Sequence, residues 1–370
     1  MMRTRLDRLI WWLAPVHRKK WAQAMQAELA AIANKREAMA FAFGCLIACC
    51  RFHLERETLV QKMGSDFVTD RFSVLALGGG LAAGLIGLTY LLVADAPPTM
   101  VMVNGASILI GIFLALGLRG SVRISNQFIM IVASGGALIL LATATFGFAI
   151  DETRRWLAIG PFFIQTSLIL LPMLVTGFAR LQNHATLLAI VLAASAMAIQ
   201  PDRAMAAMLF VAVALVGLFR PGRLTFGAAL FCAIAFGATM LLPDRMPAVP
   251  FVDHILWTAF DIDLWVGLAL WAGCLMLVCP IILVPKGERT VTHYVFAGSW
   301  LTLIAAAAMG AYPTPIVGYG ASAIIGYFLS LIFVQPAKQA RLTGDDVRGS
   351  LSGVDETNLP LRNNPGSFAI

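Results

Sequence analysis

From Phe72 onwards the chain is a succession of apolar runs separated by short polar breaks. Their approximate limits are 72 to 93, 99 to 118, 127 to 149, 161 to 180, 184 to 200, 204 to 219, 225 to 243, 264 to 285, 291 to 311 and 314 to 334. A run of roughly 18 or more apolar residues matches a hydrocarbon core about 30 Å thick, so the pattern predicts about ten spanning helices. Several runs are short for a straight span, and 184 to 219 also reads as one long hairpin, so the number carries an uncertainty of about one.

Residues 1 to 71 follow a different pattern, with Arg3, Arg5, Arg8, Arg18, Lys19, Lys20, Lys35 and Arg36 set among short apolar groups. Leu9 to Leu13 is too short for a signal peptide's apolar core and is followed at once by basic residues, so cleavage is not expected. Trp21, Met25, Leu29 and Ile32 recur at helical spacing and predict one amphipathic face. Ala38 to Cys50 is apolar but shorter than a span, which suits an interfacial helix or one packed on the bundle. The expected organisation is a basic cytoplasmic or interfacial helical segment over 1–71, a membrane domain over 72–335, and a polar, disordered cytoplasmic tail over 336–370.

Composition agrees with the pattern. The chain is 59% hydrophobic and 13% charged, with a mean hydropathy of +0.81, where an ordinary soluble domain carries roughly 25% charged residues. A water-soluble fold of this length could not hide so much apolar surface. The fold class is therefore all-α, a polytopic membrane helical bundle. The net charge of +7 does not point to nucleic acid, because Lys and Arg lie in short stretches between apolar runs instead of forming one patch. It suits anionic membrane lipid. The cysteines, Cys45, Cys49, Cys50, Cys232, Cys274 and Cys279, lie in apolar stretches without zinc-site spacing. They read as packing residues, with acylation of Cys49 and Cys50 as an alternative. The histidines are scattered, and no metal site is expected from protein ligands alone.

Lys and Arg also orient the bundle, since they are retained on the cytoplasmic side. Arg119 with Arg123, Arg180, Arg220 with Arg223, Lys286 with Arg289, and Lys338 with Arg341 fall in alternate breaks. Those breaks and both termini are expected in the cytoplasm of a bacterial-type inner membrane. The opposite breaks carry Asp95, then Asp151 to Arg155, then Asp202 with Arg203, then Asp244 to Asp263.

Most of the chemistry-bearing residues fall in the outward breaks. Arg154, Arg155 and Trp156 lie in the first cluster, followed by Gly160-Pro161 and by Gln165-Thr166-Ser167. Guanidinium forks match phosphate oxygens and stack on aromatic faces, so this cluster is a candidate seat for a phosphate-bearing lipid head, or simply an interfacial Trp anchor with snorkelling charges. Gln200-Pro201-Asp202-Arg203 is a tight polar turn. The longest outward break runs from Pro243 to Asp263 and includes Asp253, His254 and Asp261. A carboxylate at an apolar boundary has its charged form disfavoured, which suits general-base duty; a solvated acidic loop is the alternative. Tyr312 to Ser322 combines prolines, which break a helix where backbone must line a cavity, with small residues that permit close helix contact.

In order and membrane face, these segments resemble the SEDS family (shape, elongation, division and sporulation), to which RodA and FtsW belong. The family's Arg-Trp, Gly and Gln-Pro-Ser-Glu with a following Lys are similar to Arg155-Trp156, Gly160 and Gln165-Thr166-Ser167, with Leu168 where the Glu would stand and Leu171 where the Lys would stand. Its Pro-Asp-Leu-Gly-Thr-Ala turn resembles Pro201 to Ala206. Its Thr-Asp-Phe-Ile-Phe segment, later Glu and Gly are similar to Asp253 to Trp257, Asp261 and Gly267. Its Pro-Phe-Ile-Ser-Tyr-Gly-Gly-Ser-Ser resembles Pro315 to Ala323, with Tyr319 and Ser322 in register. The resemblance covers roughly 72 to 335 and leaves the basic head unexplained.

What the resemblance implies is a cell-wall glycan polymerase with ten spans and both ends cytoplasmic. It would join lipid-linked disaccharide-pentapeptide units (a lipid II-like substrate) at the outer membrane face, for cell shape or division, beside a penicillin-binding transpeptidase. Asp253 would be the base, and Arg154 and Arg155 would face the leaving diphosphate, a task that a divalent cation could share. Trp156, Gln165, Ser167, Asp202, Asp261, Tyr319 and Ser322 would complete the substrate site. Loss of the Glu and Lys together strands neither partner, so a non-catalytic scaffold or regulator is a second expectation. A lipid or solute transporter is a third, although no inverted repeat is visible.

Overall fold

The computed structural model describes residues 19–32, 34, 37, 38, 40, 41, 44, 45, 70–121, 124–150, 153–160, 162–242 and 247–336. The chain divides into two compact units, Met1–Thr69 with Leu116–Arg123, and Asp70–Ala115 with Ile124–Ile370. Arg3 to Arg18, the run Leu9 to Leu13, Lys35, Arg36, Cys49, Cys50, Arg123, Asp151, Glu152, Pro161, Asp244, Arg245, Lys338, Arg341 and the expected disordered tail beyond 336 lie outside the described residues.

In the first unit, helix α1 spans Lys19–Ala31. Ala22 and Leu29 are buried with Ala38 and Cys45, and Trp21, Met25, Ile32 and Phe41 pack around them. The face expected from the helical spacing is thus the face that packs, and it packs on residues that follow it closely in the chain.

The second unit is built on α2 (Arg71–Val93), α3 (Pro98–Ser121) as far as Ala115, α4 (Asn126–Phe146), α5 (Thr166–Arg180), α6 (His184–Ile199), α7 (Arg203–Phe219) and α8 (Arg223–Leu241). After a long connection come the short α9 (Ile255–Thr258), α10 (Leu264–Val278), the short α11 (Pro280–Leu283), α12 (Val291–Met309) and α13 (Ala321–Ser330). Ten of these helices have ten or more residues, in the order of the ten apolar runs. By length and composition α2, α3 as far as Leu118, α4, α8 and α12 can cross a membrane, while α5, α6, α7, α10 and α13 are shorter apolar helices. The protein is a polytopic helical membrane protein.

Helix starts follow from short polar side chains that accept the otherwise orphaned N–H groups of a first turn. Asp70 takes the Ser73 N–H, Ser125 takes Phe128, Asp202 takes Met205, and Asp263 takes Trp265. Asn183 and Thr186 form a reciprocal capping box at α6, as Thr290 and His293 do at α12.

Four runs differ from their apolar limits. The runs 127–149 and 161–180 each give up residues to a three-stranded antiparallel sheet, with β1 (Phe148–Ile150), β2 (Thr153–Ile159) and β3 (Phe162–Gln165) in that order. β-branched and aromatic side chains favour the extended form, and Gly160, at φ +59°, sits at the β2–β3 turn. The run 264–285 ends as α10 at Val278, because Pro280 cannot continue a helix but can start one at α11. The run 314–334 is helical only from Ala321, since Pro313 and Pro315 hold the chain before it out of helix.

Helix α5 lies at the centre, with most of its residues buried. Close approaches replace large side chains where helices meet, since a β-carbon on Gly79 would stand 2.3 Å from the carbonyl oxygen of Met276. A buried ring cluster of Phe296, Trp300, Tyr327 and Phe328 fills the space between α12 and α13. The Tyr327 hydroxyl has its polar tip satisfied by the carbonyls of Ala76 and Leu277, at 3.0 and 3.1 Å. Leu109, Phe113, Phe226 and Ile234 are exposed, as lipid-facing side chains are.

Candidate functional site

Three chain regions that are far apart in sequence, residues 155–167, 200–202 and the start of α13, meet at one end of the bundle. Strand β2 turns Arg155 inward, and the guanidinium donates to the carbonyl oxygens of Gln200 (3.5 Å) and Pro201 (2.9 Å) in the α6–α7 turn. Its Nε stands 3.9 Å from Asp202 Oδ2, with both side chains almost completely out of solvent. The Gln165 amide, at the end of β3, donates to Asp202 Oδ2 and to Ser167 Oγ, both at 3.3 Å. Ser322, in the first turn of α13, accepts the Gln165 backbone N–H at 3.0 Å. Asp202 Oδ1 caps α7 by accepting the Met205 N–H. Thr166 donates to Thr143 Oγ1 at 3.1 Å and ties α5 to α4 in the same layer.

A buried ion pair is tolerable only when further hydrogen bonds satisfy its remaining lone pairs and protons. Here the two carbonyls, the Gln165 amide and the Met205 N–H supply them. Arg155, Gln165, Ser167, Asp202 and Ser322 are therefore brought together, and the charge of Arg155 faces the charge of Asp202.

The remaining candidate residues lie elsewhere. Successive strand residues point to opposite faces, so Arg154 is exposed where Arg155 is buried, and its guanidinium reaches the carbonyl of Thr145. The two arginines do not form one fork-lined seat. Trp156 is half-buried and pairs in register with Gln165 across β2 and β3. Asp253 is half-buried, and its Oδ2 accepts the Val249 N–H at 2.8 Å within its own loop. Asp261 is exposed at the end of the turn Ala259–Asp261.

The Asp253 loop is strapped to the connection before α13. The Tyr319 N–H donates to the Phe251 carbonyl at 2.8 Å, and the Thr314 N–H donates to the Val252 carbonyl at 3.0 Å. Backbone strain gathers in this pair of loops, with positive φ at Phe251 (64°), His254 (58°) and Ile316 (66°). Such conformations cost about 1 to 3 kcal/mol each for residues that carry a β-carbon, and they persist only where the surroundings enforce them. Among the described residues no group of three His, Cys, Asp or Glu is placed to hold a metal ion.

The chain is similar to the Thermus thermophilus rod shape determining protein RodA, at 15% identity over 70% of this chain and 93% of that one, with a TM-score of 0.48. A point mutant of the same protein matches at 16% identity and a TM-score of 0.48, over 70% of this chain and 94% of that one. A chain from a peptidoglycan synthase complex that coordinates polymerization and crosslinking is similar at 16% identity and a TM-score of 0.45, covering 70% and 94%. No family model matches the chain, and no curated protein matches it.

Leu168 and Leu171 are 6% and 0% exposed and belong to the main apolar core. The two positions where the SEDS resemblance implies a charged pair are thus apolar in character and in surroundings.

One polar residue was missed by the sequence reading, and another was read only as part of a polar turn. Asn104, inside the apolar run of α3, is buried; it donates to the Gly318 carbonyl at 2.9 Å and accepts the Gly320 N–H at 3.1 Å. A carboxamide in a spanning run was the available signal. Gln200 is also buried, and neither atom of its side-chain amide has a hydrogen-bond partner among the described residues. Its neighbour relations depend on contacts across the fold, which no local pattern encodes.

Proposed function

We propose that this chain is a SEDS-like component of cell-wall glycan assembly at the outer face of the cytoplasmic membrane, acting as a non-catalytic scaffold or regulator. The resemblance rests on four segments, and three of them meet at one buried joint through Arg155, Gln165 with Ser167, Asp202 and Ser322, which supports reading those three as one inherited unit. The observation that carries the non-catalytic reading is the core position of Leu168 and Leu171. A centre that displaces a polyprenyl diphosphate needs cations for the leaving group and a base for the attacking hydroxyl. Arg155 is already balanced by Asp202, and the Lys expected on α5 is a leucine.

The partner implied is a penicillin-binding transpeptidase, and the assembly's substrate is a lipid-linked disaccharide-pentapeptide. The deciding experiment supplies that substrate and a transpeptidase to the purified full chain and looks for glycan strands, while an Asp253→Asn chain replaces the wild type in cells. The scaffold reading expects no strands from this chain and full replacement by the variant. Strand synthesis that Asp253→Asn abolishes would overturn it.

One observation favours the polymerase as a second reading, namely the strain held in the loop pair that carries Asp253 and Tyr319. In that reading Asp253 takes the proton of the attacking sugar hydroxyl as the new glycosidic bond forms. The bond to the polyprenyl diphosphate breaks, and the exposed Arg154 offers its charge to the leaving group. The same experiment separates the two readings.

A further inference from the structure

We propose that the ends of α5 and α7 opposite the polar joint form a seat for the phosphate of an anionic phospholipid headgroup, held by Arg180 and Arg220. Both helices start at the joint, with Thr166 and Arg203, and run to these arginines. Arg220 Nη1 donates to the Ala179 carbonyl at 3.1 Å and to Gln182 Oε1 at 3.3 Å. Its guanidinium therefore lies against the last turn of α5, whose final residue is Arg180.

The α5 carbonyl accounts for part of the Arg220 charge, as a cation at a helix C-terminus should. It leaves Nε and Nη2 of Arg220 unpartnered among the described residues, and the whole Arg180 guanidinium as well. Both side chains are half-buried, and neither has a carboxylate partner among the described residues. Burial pulls the Arg220 guanidinium below its ordinary value, the direction expected of a cation that has lost water without gaining an anion.

Other cations at this end are differently placed. Arg71 stands 4.0 Å from Glu288, Arg289 donates to the carbonyls of Val284 and Ile282, and Arg223 is exposed. Phe219, next to Arg220, stacks on Tyr294 with ring centroids 4.5 Å apart, and aromatic side chains favour the headgroup level of a bilayer. The alternation of Lys and Arg along the chain expects this end at the cytoplasmic leaflet, where anionic lipids concentrate. Two guanidinium forks on adjacent helix ends match the tetrahedral oxygens of a phosphate monoanion.

The test uses the full chain in mixed micelles, titrated with phosphatidylglycerol, phosphatidylcholine or inorganic phosphate, and read by thermal midpoint and by lipid retained in native mass spectrometry. Phosphatidylglycerol is expected to raise the midpoint, with about tenfold weaker binding in Arg180→Gln. Arg223→Gln is expected to bind as the wild type does. Because Arg220→Gln also uncaps α5, Arg220→Lys serves in its place; it keeps the charge but not the fork, and an intermediate loss is expected. The proposal is overturned if Arg180→Gln binds like the wild type, if Arg223→Gln weakens binding equally, or if phosphatidylcholine or free phosphate gives the same shift.

Discussion

A β-carbon on Gly326 would stand 2.0 Å from the carbonyl oxygen of Leu168. The first turn of α5 and the middle of α13 thus meet backbone to backbone, at the position where the resemblance implies a glutamate. Backbone cannot swing aside as a long side chain can, so Gly326→Ala is expected to cost at least the roughly 1 to 3 kcal/mol of an overpacked core. Gly105 in α3 has nothing within 4 Å of its would-be β-carbon, so Gly105→Ala serves as the control that leaves stability unchanged or slightly raised. Thermal unfolding of the two variants in detergent, followed by tryptophan fluorescence, checks the pair.

Introducing a charged pair at Leu168 and Leu171 tests how far the apolar core there tolerates one. Leu168→Glu alone and Leu171→Lys alone each place a charge in apolar surroundings and are expected to destabilise by about 2.5 to 3.5 kcal/mol. The residues are three apart on one helix face, so the double variant is expected to lose less than the sum. Strictly additive losses in the double-mutant cycle would mean that the two side chains no longer reach each other.

The Arg155–Asp202 pair gives a second cycle. Arg155→Leu leaves Asp202 buried without its cation and is expected to cost about 3 to 5 kcal/mol. Asp202→Asn keeps an oxygen for the Met205 N–H and therefore keeps the α7 cap. The double variant Arg155→Leu with Asp202→Asn is expected to recover most of the loss. Denaturation midpoints of the three chains decide this, and a double variant no more stable than Arg155→Leu alone would show that the carbonyl contacts to Gln200 and Pro201 matter more than the charge.

The imprint of the fold on the sequence differs from element to element. The helices were legible because apolar length and a polar N-cap are local: Ser125, Asn183, Asp202 and Asp263 mark starts within a residue or two of the expected limits. The sheet was not, because Phe148 to Ile150 and Phe162 to Ile164 are as apolar as the helix ends they adjoin, and hydropathy does not distinguish period 2 from period 3.6 over so few residues. The same error joined Arg154 to Arg155 as one seat, whereas strand alternation sends them to opposite faces. Among the candidate residues at the joint, Arg155 stood out by its own chemistry, while Asp202 and Ser322 were drawn into the site by the family resemblance. The pairing of Arg155 with Asp202 spans the whole of α5 and α6, and no spacing rule reaches that far.

The single carboxamide of Asn104 holds both sides of the Gly318–Gly320 turn. Leucine at this position keeps the volume and removes both bonds, leaving the Gly318 carbonyl and the Gly320 N–H in a buried layer without partners. Each such group costs about 1 to 3 kcal/mol, so Asn104→Leu is expected to destabilise clearly. The loss is also expected to be local in a particular way, because the turn passes directly to Tyr319, whose N–H holds the Phe251 carbonyl. The strained backbone at Phe251, His254 and Ile316 persists only while these straps hold it. Hydrogen exchange should therefore quicken in residues 249–254 and 312–320, while α6 and α7 keep their protection. Uniform quickening across the bundle would instead assign Asn104 to global stability and detach it from the Asp253 loop.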